Sequence, residues 1–128
     1  MIPKFRAWST DKKIMAEVRT LRFTDELVET DKFVERSIEG VKLMQSTGLL
    51  DKNGKEIFEG DILKVKIMSG QSWLETVRYN DEKAMFVSKE VKRKVLESPL
   101  YDLFITDLFE VEVIGNIYEN PELVEVEI

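Results

Sequence analysis

The sequence predicts a mainly β fold with a single short helix, and three features predict it. Several segments alternate apolar and polar residues with a period of two, as in Ile14, Ala16, Val18 and again in Leu63, Val65, Ile67. Turn signals are dense, above all Asn53-Gly54 and Glu59-Gly60-Asp61. Only the stretch 98–108 carries a helical apolar stripe.

From the N-terminus, Ile2 to Trp8 reads as an extended segment and Ser9-Thr10-Asp11 as a turn. Ile14, Ala16 and Val18 then return as a strand. Leu21 and Phe23 fall on the opposite parity, so this strand either bulges near Arg19-Thr20 or ends there and restarts. Roughly the first forty residues thus form an N-terminal β segment. Between Thr30 and Gly40 two readings compete. Thr30 could cap a short helix containing Phe33, Val34 and Ile38, or the same residues could form a short strand leading into Val41, Leu43 and Gln45. Strand is the favoured reading.

At Asn53-Gly54 a hairpin is expected, because both residues tolerate positive φ. A two-residue loop would set Lys52 against Lys55 and Asp51 against Glu56, two like-charge pairs. A type I turn with Gly54 in a bulge instead puts Asp51 at the first turn position and opposite Lys55. Cross-strand pairs contribute roughly 0.2–1 kcal/mol, so the bulged form is expected. Glu59-Gly60-Asp61 makes the next turn, and Ile62 to Ile67 the next strand, with Lys64 and Lys66 on its wet face. Two turns this close reverse the chain sharply, a geometry used by small barrels.

Ser72 to Arg78 and Ala84 to Ser88 read as strands joined by Tyr79-Asn80-Asp81-Glu82, with Trp73, Val77, Met85 and Val87 as core candidates. The short helix is expected over 98–108, with Ser98 as cap, Pro99 in the first turn, and Leu100, Leu103, Phe104 and Leu108 as its apolar stripe. Val111, Val113 and Ile114 form the last strand, Gly115-Asn116 breaks it, and Asn120-Pro121 starts a final turn.

A chain of 128 residues with 43% hydrophobic content fits one domain, 1–128, with a single core. No apolar run approaches the ~20 residues that span a bilayer, and no leader sequence is recognisable, so a cytoplasmic protein without membrane contact is expected. Cysteine and histidine are both absent. Disulfides, thiolate catalysis, thiolate metal sites and Ser-His-Asp or Cys-His arrangements are therefore excluded. A net charge of −6 opposes general affinity for nucleic acid. The stretch from Glu110 to Ile128 is acidic throughout, with no basic residue. One basic cluster, Lys89, Lys92, Arg93 and Lys94, runs against this balance. It reads as a solvated face or, alternatively, as a phosphate-binding patch.

Other candidate sites weigh towards structure. Asp51 to Glu56 superficially suggests a calcium loop, but an EF-hand needs glycine at its sixth position and glutamate at its twelfth, which are Glu56 and Ile62 here. Glu59 and Asp61 could pair as catalytic carboxylates, although Asp61 accepting backbone hydrogen bonds in the turn is the simpler reading. Phe5, Trp8, Phe58, Trp73, Tyr101 and Tyr118 could stack on bases, yet scattered aromatics in a chain this short serve the core or its margin. No catalytic, cofactor-binding or metal-binding residue is expected.

Four motifs carry a family resemblance. They are Ile2-Pro3-Lys4-Phe5-Arg6-Ala7-Trp8, then Leu43-Met44-Gln45-Ser46-Thr47-Gly48-Leu49, then the run from Asp51 to Ile62, and finally the run from Val113 to Leu123. In this order they resemble the YopX family, small proteins encoded by phages and prophages. Ser46 stands where that family commonly has an aromatic residue and Phe58 where it has Tyr, and residues 68–109 match only loosely. The resemblance implies a mainly β fold with an SH3-like barrel and a phage or prophage origin. It carries over no catalytic or binding residue.

A non-enzymatic accessory protein of the bacterial host cytosol is thus expected, an interaction or assembly module without a cofactor. Its partner would be another protein or a second copy of itself, docking on an edge strand or the C-terminal segment. The alternative is a nucleic-acid-associated regulator contacting its target through Lys89, Lys92, Arg93 and Lys94. An enzyme working through paired carboxylates would need a pocket lined by at least two acids.

Overall fold

The structure, a computed structural model, describes residues 2–35, 37–93 and 97–125. The chain is mainly β, its strands arranged in antiparallel sheets, and it divides into two compact units, residues 1–46 and 47–128.

In the first unit, β1 (Phe5–Ser9), β2 (Ile14–Arg22), β3 (Leu27–Thr30), β4 (Val34–Glu35) and the first part of β5 (Val41–Leu50) follow the order β4-β3-β2-β1-β5. The register between β2 and β3 shifts between Val18 and Thr20, so of the two readings the sequence allowed, the bulge is the one adopted. It resolves the parity conflict, because Ala16 and Val28 can then both face the core. The Thr30–Gly40 stretch combines both expectations. Thr30 donates its hydroxyl to the carbonyl of Phe33 and accepts from the amides of Lys32 and Phe33, β4 follows, and a 3-10 turn covers Ile38–Gly40. Ala7, Ala16, Val28, Phe33 and Val41 make the core of this unit.

In the second unit, the end of β5 adjoins β6 (Glu56–Phe58). A five-stranded sheet takes β7 (Asp61–Ile67), β8 (Ser72–Asn80), β9 (Met85–Glu90), β10 (Ser98–Pro99) and β11 (Phe109–Asn116) in the order β10-β9-β8-β7-β11. Its core collects Ile57, Leu63, Val65, Val77, Leu100, Leu103 and Val111, as the alternation along β7 and β8 requires.

The Asn53-Gly54 hairpin takes the bulged form. The Gly54 amide donates to the Asp51 carbonyl at 3.0 Å, the Asp51 amide to the Lys55 carbonyl at 2.8 Å, and Gly54 has φ +80°. The cause is stronger than a cross-strand ion pair. Asp51 Oδ1 accepts from the amides of Asn53 and Lys55, both at 2.8 Å, so its carboxylate braces the turn from inside. Asp61 acts likewise at the second turn, accepting from the Phe58 amide at 2.8 Å while Gly60 takes φ +83°.

Helical structure near 98–108 is shorter than the apolar stripe predicts. It is a 3-10 turn at Leu100–Leu103, and Ser98, expected to cap an α-helix, pairs with Ser88 as part of β10 instead. Leu100 and Leu103 are buried three residues apart, the repeat of a 3-10 turn. Ile105 and Leu108 are exposed, so nothing rewards continuing the helix.

Candidate functional site

β11 lies at the end of the five-stranded sheet, and a free strand edge invites association. Here the 51–54 hairpin occupies part of that edge. The Lys52 amide donates to the Val111 carbonyl at 2.8 Å, and Asp51 Oδ2 accepts from the Val113 amide at 2.9 Å. A side-chain carboxylate and one backbone amide thus imitate a neighbouring strand. Burial pushes the Asp51 carboxyl up, but the amides of Val113, Lys55 and Asn53 outweigh it and hold its pKa below the usual value. Lys52 reinforces the closure through Glu112 at 3.2 Å and Glu110 at 3.8 Å, and its hydrogen bond to Glu112 raises its pKa.

The loop after β11 is equally committed to backbone geometry. The Asn116 side-chain oxygen accepts from the amides of Tyr118 and Glu119, and Asn120 returns a contact to the Asn116 amide at 3.2 Å. A Cβ on Gly115 would lie 2.4 Å from the Asn120 side-chain oxygen, so only glycine fits there. The first and last of these turns, with Asp61, account for most polar residues in the third and fourth sequence motifs.

A different part of the second unit offers a binding surface. Trp73 and Glu75 are two residues apart on β8 and share a face with Val77. Trp73 donates its indole N–H to Glu75 Oε2 at 2.7 Å, and Ser88 on β9 donates its hydroxyl to Glu75 Oε1 at 2.6 Å. Glu75 is only 9% exposed, so a carboxylate is buried in order to hold an indole. Phe109 meets the same indole edge to face, with ring centroids 6.3 Å apart. Trp73 therefore has a fixed orientation at the wall of a groove of about 790 Å³, a volume within the range of ligand-binding clefts. Ile67, Leu74, Val91 and Leu123 supply further apolar lining. Lys64, Lys92 and Arg93 stand around it as cations, with Glu90 and Glu125 as acids. Arg93 faces Glu90 at 3.6 Å and remains largely exposed.

The basic cluster read from the sequence is thus divided. Lys92 and Arg93 follow β9 and line the groove, whereas Lys89 lies exposed on β9 opposite Thr76 and does not. Lys94 lies outside the described residues. Two further lysines, Lys64 and Lys66, sit on β7 directly across from Glu112 and Glu110 of β11, which offset them. Sequence reasoning singled out Trp73 only as a core residue and missed Lys64, Leu74, Glu75 and Val91. One signal was available: Glu75 sits between Trp73 and Val77 at core parity, where an acid requires a partner.

Among the described residues no group of three or more His, Cys, Asp or Glu is placed to hold a metal ion. Nor is any helix among them long and apolar enough to cross a membrane.

The fold and its turns can now be set beside known proteins. The family model for YopX protein matches residues 4–125, nearly the whole chain. The chain belongs to the YopX family. It is similar to the crystal structure of protein EF1440 from Enterococcus faecalis, with 33% identity, a TM-score of 0.66, and coverage of 98% of this chain and 99% of that one. It also shares its fold with protein yopX from Bacillus subtilis at 19% identity and a TM-score of 0.56, covering 95% and 98% of the two chains. No curated protein sequence matches. Membership in the YopX family explains why the four motifs occur in order, and the structure adds what they do: they specify turns and close an edge.

Proposed function

We propose that this YopX-family chain is a non-enzymatic accessory protein of phage or prophage origin, acting in the cytosol of a bacterial host as a protein-interaction module. The groove beside Trp73 carries this reading, because it joins an oriented aromatic anchor to an apolar lining and a charged rim. The disposition of the buried acids supports the non-enzymatic part. Asp51 and Asp61 accept backbone amides in turns, and Glu75 accepts Trp73 and Ser88, so each has a structural task. The partner is another protein or a second copy of this chain.

Affinity capture from host cells with the native chain and with Trp73→Ala tests the reading. A protein retained by the native chain and lost with the variant supports it. An identical set of proteins on both baits removes the groove from consideration. Light scattering separates the two partner types, since a strict monomer at high protein concentration rules out the second copy.

A further inference from the structure

The chemistry around the groove narrows what it takes, if the groove is the interaction site proposed above. Three cations, Lys64, Lys92 and Arg93, surround an apolar lining, while Glu90 is engaged by Arg93. Counting Glu125, the rim carries three positive against two negative charges, on a chain whose net charge is −6. The groove is therefore a local exception to the electrostatic character of the protein, and the exception favours negative ligands. The cations do not act alone, since Trp73, Leu74, Val91 and Ile67 offer apolar surface between them.

We infer that the groove binds an extended segment of a partner protein in which apolar and acidic side chains alternate. In such a segment successive side chains point to opposite sides, so one set can settle on Trp73 and Leu74 while carboxylates reach Lys64, Lys92 and Arg93. Nucleic acid fits less well, because its backbone would meet Glu90 and Glu125 as well as the cations, and Glu110 and Glu112 already offset the lysines of β7. Glu75 is a positioning residue in this scheme. It touches no partner and acts by fixing the indole.

The test uses the full chain carrying Trp8→Phe, so that Trp73 alone reports by fluorescence. The probes are a short synthetic peptide alternating leucine with glutamate, and its counterpart with lysine in place of glutamate. The acidic peptide is expected to bind and to weaken as salt rises, with affinity falling about tenfold in the Lys92→Glu, Arg93→Glu double variant. Trp73→Phe, which keeps an aromatic ring but lacks the indole N–H, and Glu75→Gln should each weaken binding several-fold. Glu75→Gln should also shift the Trp73 indole N–H resonance without loss of fold.

Preference for the lysine peptide, or displacement of the acidic peptide by a single-stranded oligonucleotide, would overturn the inferred chemistry. So would a preformed dimer that the acidic peptide dissociates, because the occupant would then be a second copy. A Trp73-dependent response to the lysine peptide alone leaves the interaction reading standing and removes only its acidic partner. If no peptide perturbs Trp73, while the fold is intact and capture shows no Trp73-dependent protein, both readings fail.

Discussion

The two units of the chain solve the same problem with different chemistry. In residues 1–46 the buried polar groups at turns are neutral hydroxyls: Ser9 accepts from the Lys12 amide, and Thr30 brackets Lys32 and Phe33. In residues 47–125 the corresponding positions hold carboxylates, Asp51 and Asp61, and a third buried acid fixes Trp73. Their cores differ as well. The first relies on Ala7, Ala16, Val28 and Val41 with Phe33, the second on Ile57, Leu63 and Leu100 among others. Hydroxyls hold a turn regardless of pH, whereas ionised carboxylates hold it only while they stay charged. The second unit thus gains stronger hydrogen bonds and accepts sensitivity to acid.

The largest expected effect lies in the second core. Leu63 is fully buried, so Leu63→Ala should destabilise residues 47–125 by about 2–5 kcal/mol. Because Trp8 lies in the first unit and Trp73 in the second, single-tryptophan variants can follow each unit's unfolding separately. A Trp73 transition that moves with Leu63→Ala is expected; an unchanged midpoint would mean that Leu63 does not anchor this core.

Next comes Asp51. Asp51→Ala leaves the amides of Asn53, Lys55 and Val113 without this acceptor and should cost about 2–3 kcal/mol. Faster hydrogen exchange at the Val113 amide would report the opened edge directly. The same carboxylate sets a pH dependence. Its folded pKa is lowered, so its stabilisation is complete above the unfolded value, about 4, and is lost as pH falls through the folded one. Glu97, whose pKa is lowered by hydrogen bonding to Arg78, adds to the loss in the same direction. Acid titration should therefore reduce the stability reported by Trp73 below about pH 4, and Asp51→Ala should flatten that slope. An equal slope in the variant would assign the acid sensitivity elsewhere.

Much of this contrast could be read from the chain before its structure. Asn53-Gly54 and Glu59-Gly60-Asp61 announced their turns because glycine and aspartate have few other reasons to stand together there. The parity conflict between Val18 and Leu21 announced a bulge or a break. The stripe from Leu100 to Leu108 misled, since spacing alone does not say whether Ile105 and Leu108 have anything to pack against. The groove was illegible for another reason. Its residues come from β7, β8, the bend after β9 and the segment near Leu123, and only the folded register brings them together. Likewise, Lys92 and Arg93 were visible as charge, but the apolar surface beside them was not.

The smallest effect concerns a turn without glycine. Ala84 adopts φ 51° between β8 and β9, a conformation that costs an L side chain energy. Ala84→Gly should raise the stability of the second unit by up to about 1 kcal/mol, visible as a higher thermal midpoint at Trp73. A lower midpoint would show that the alanine methyl makes a contact that outweighs its strain.

The central claim is that the second unit meets partners through the groove at Trp73. Backbone and indole chemical shifts of the isotope-labelled full chain, titrated with the leucine–glutamate peptide, test it most directly. The account predicts perturbations clustered at Lys64, the Trp73 indole, Leu74, Val91, Lys92 and Arg93. Perturbations confined to residues 5–45, or clustered around the exposed Met68 and Leu108 instead, would contradict it.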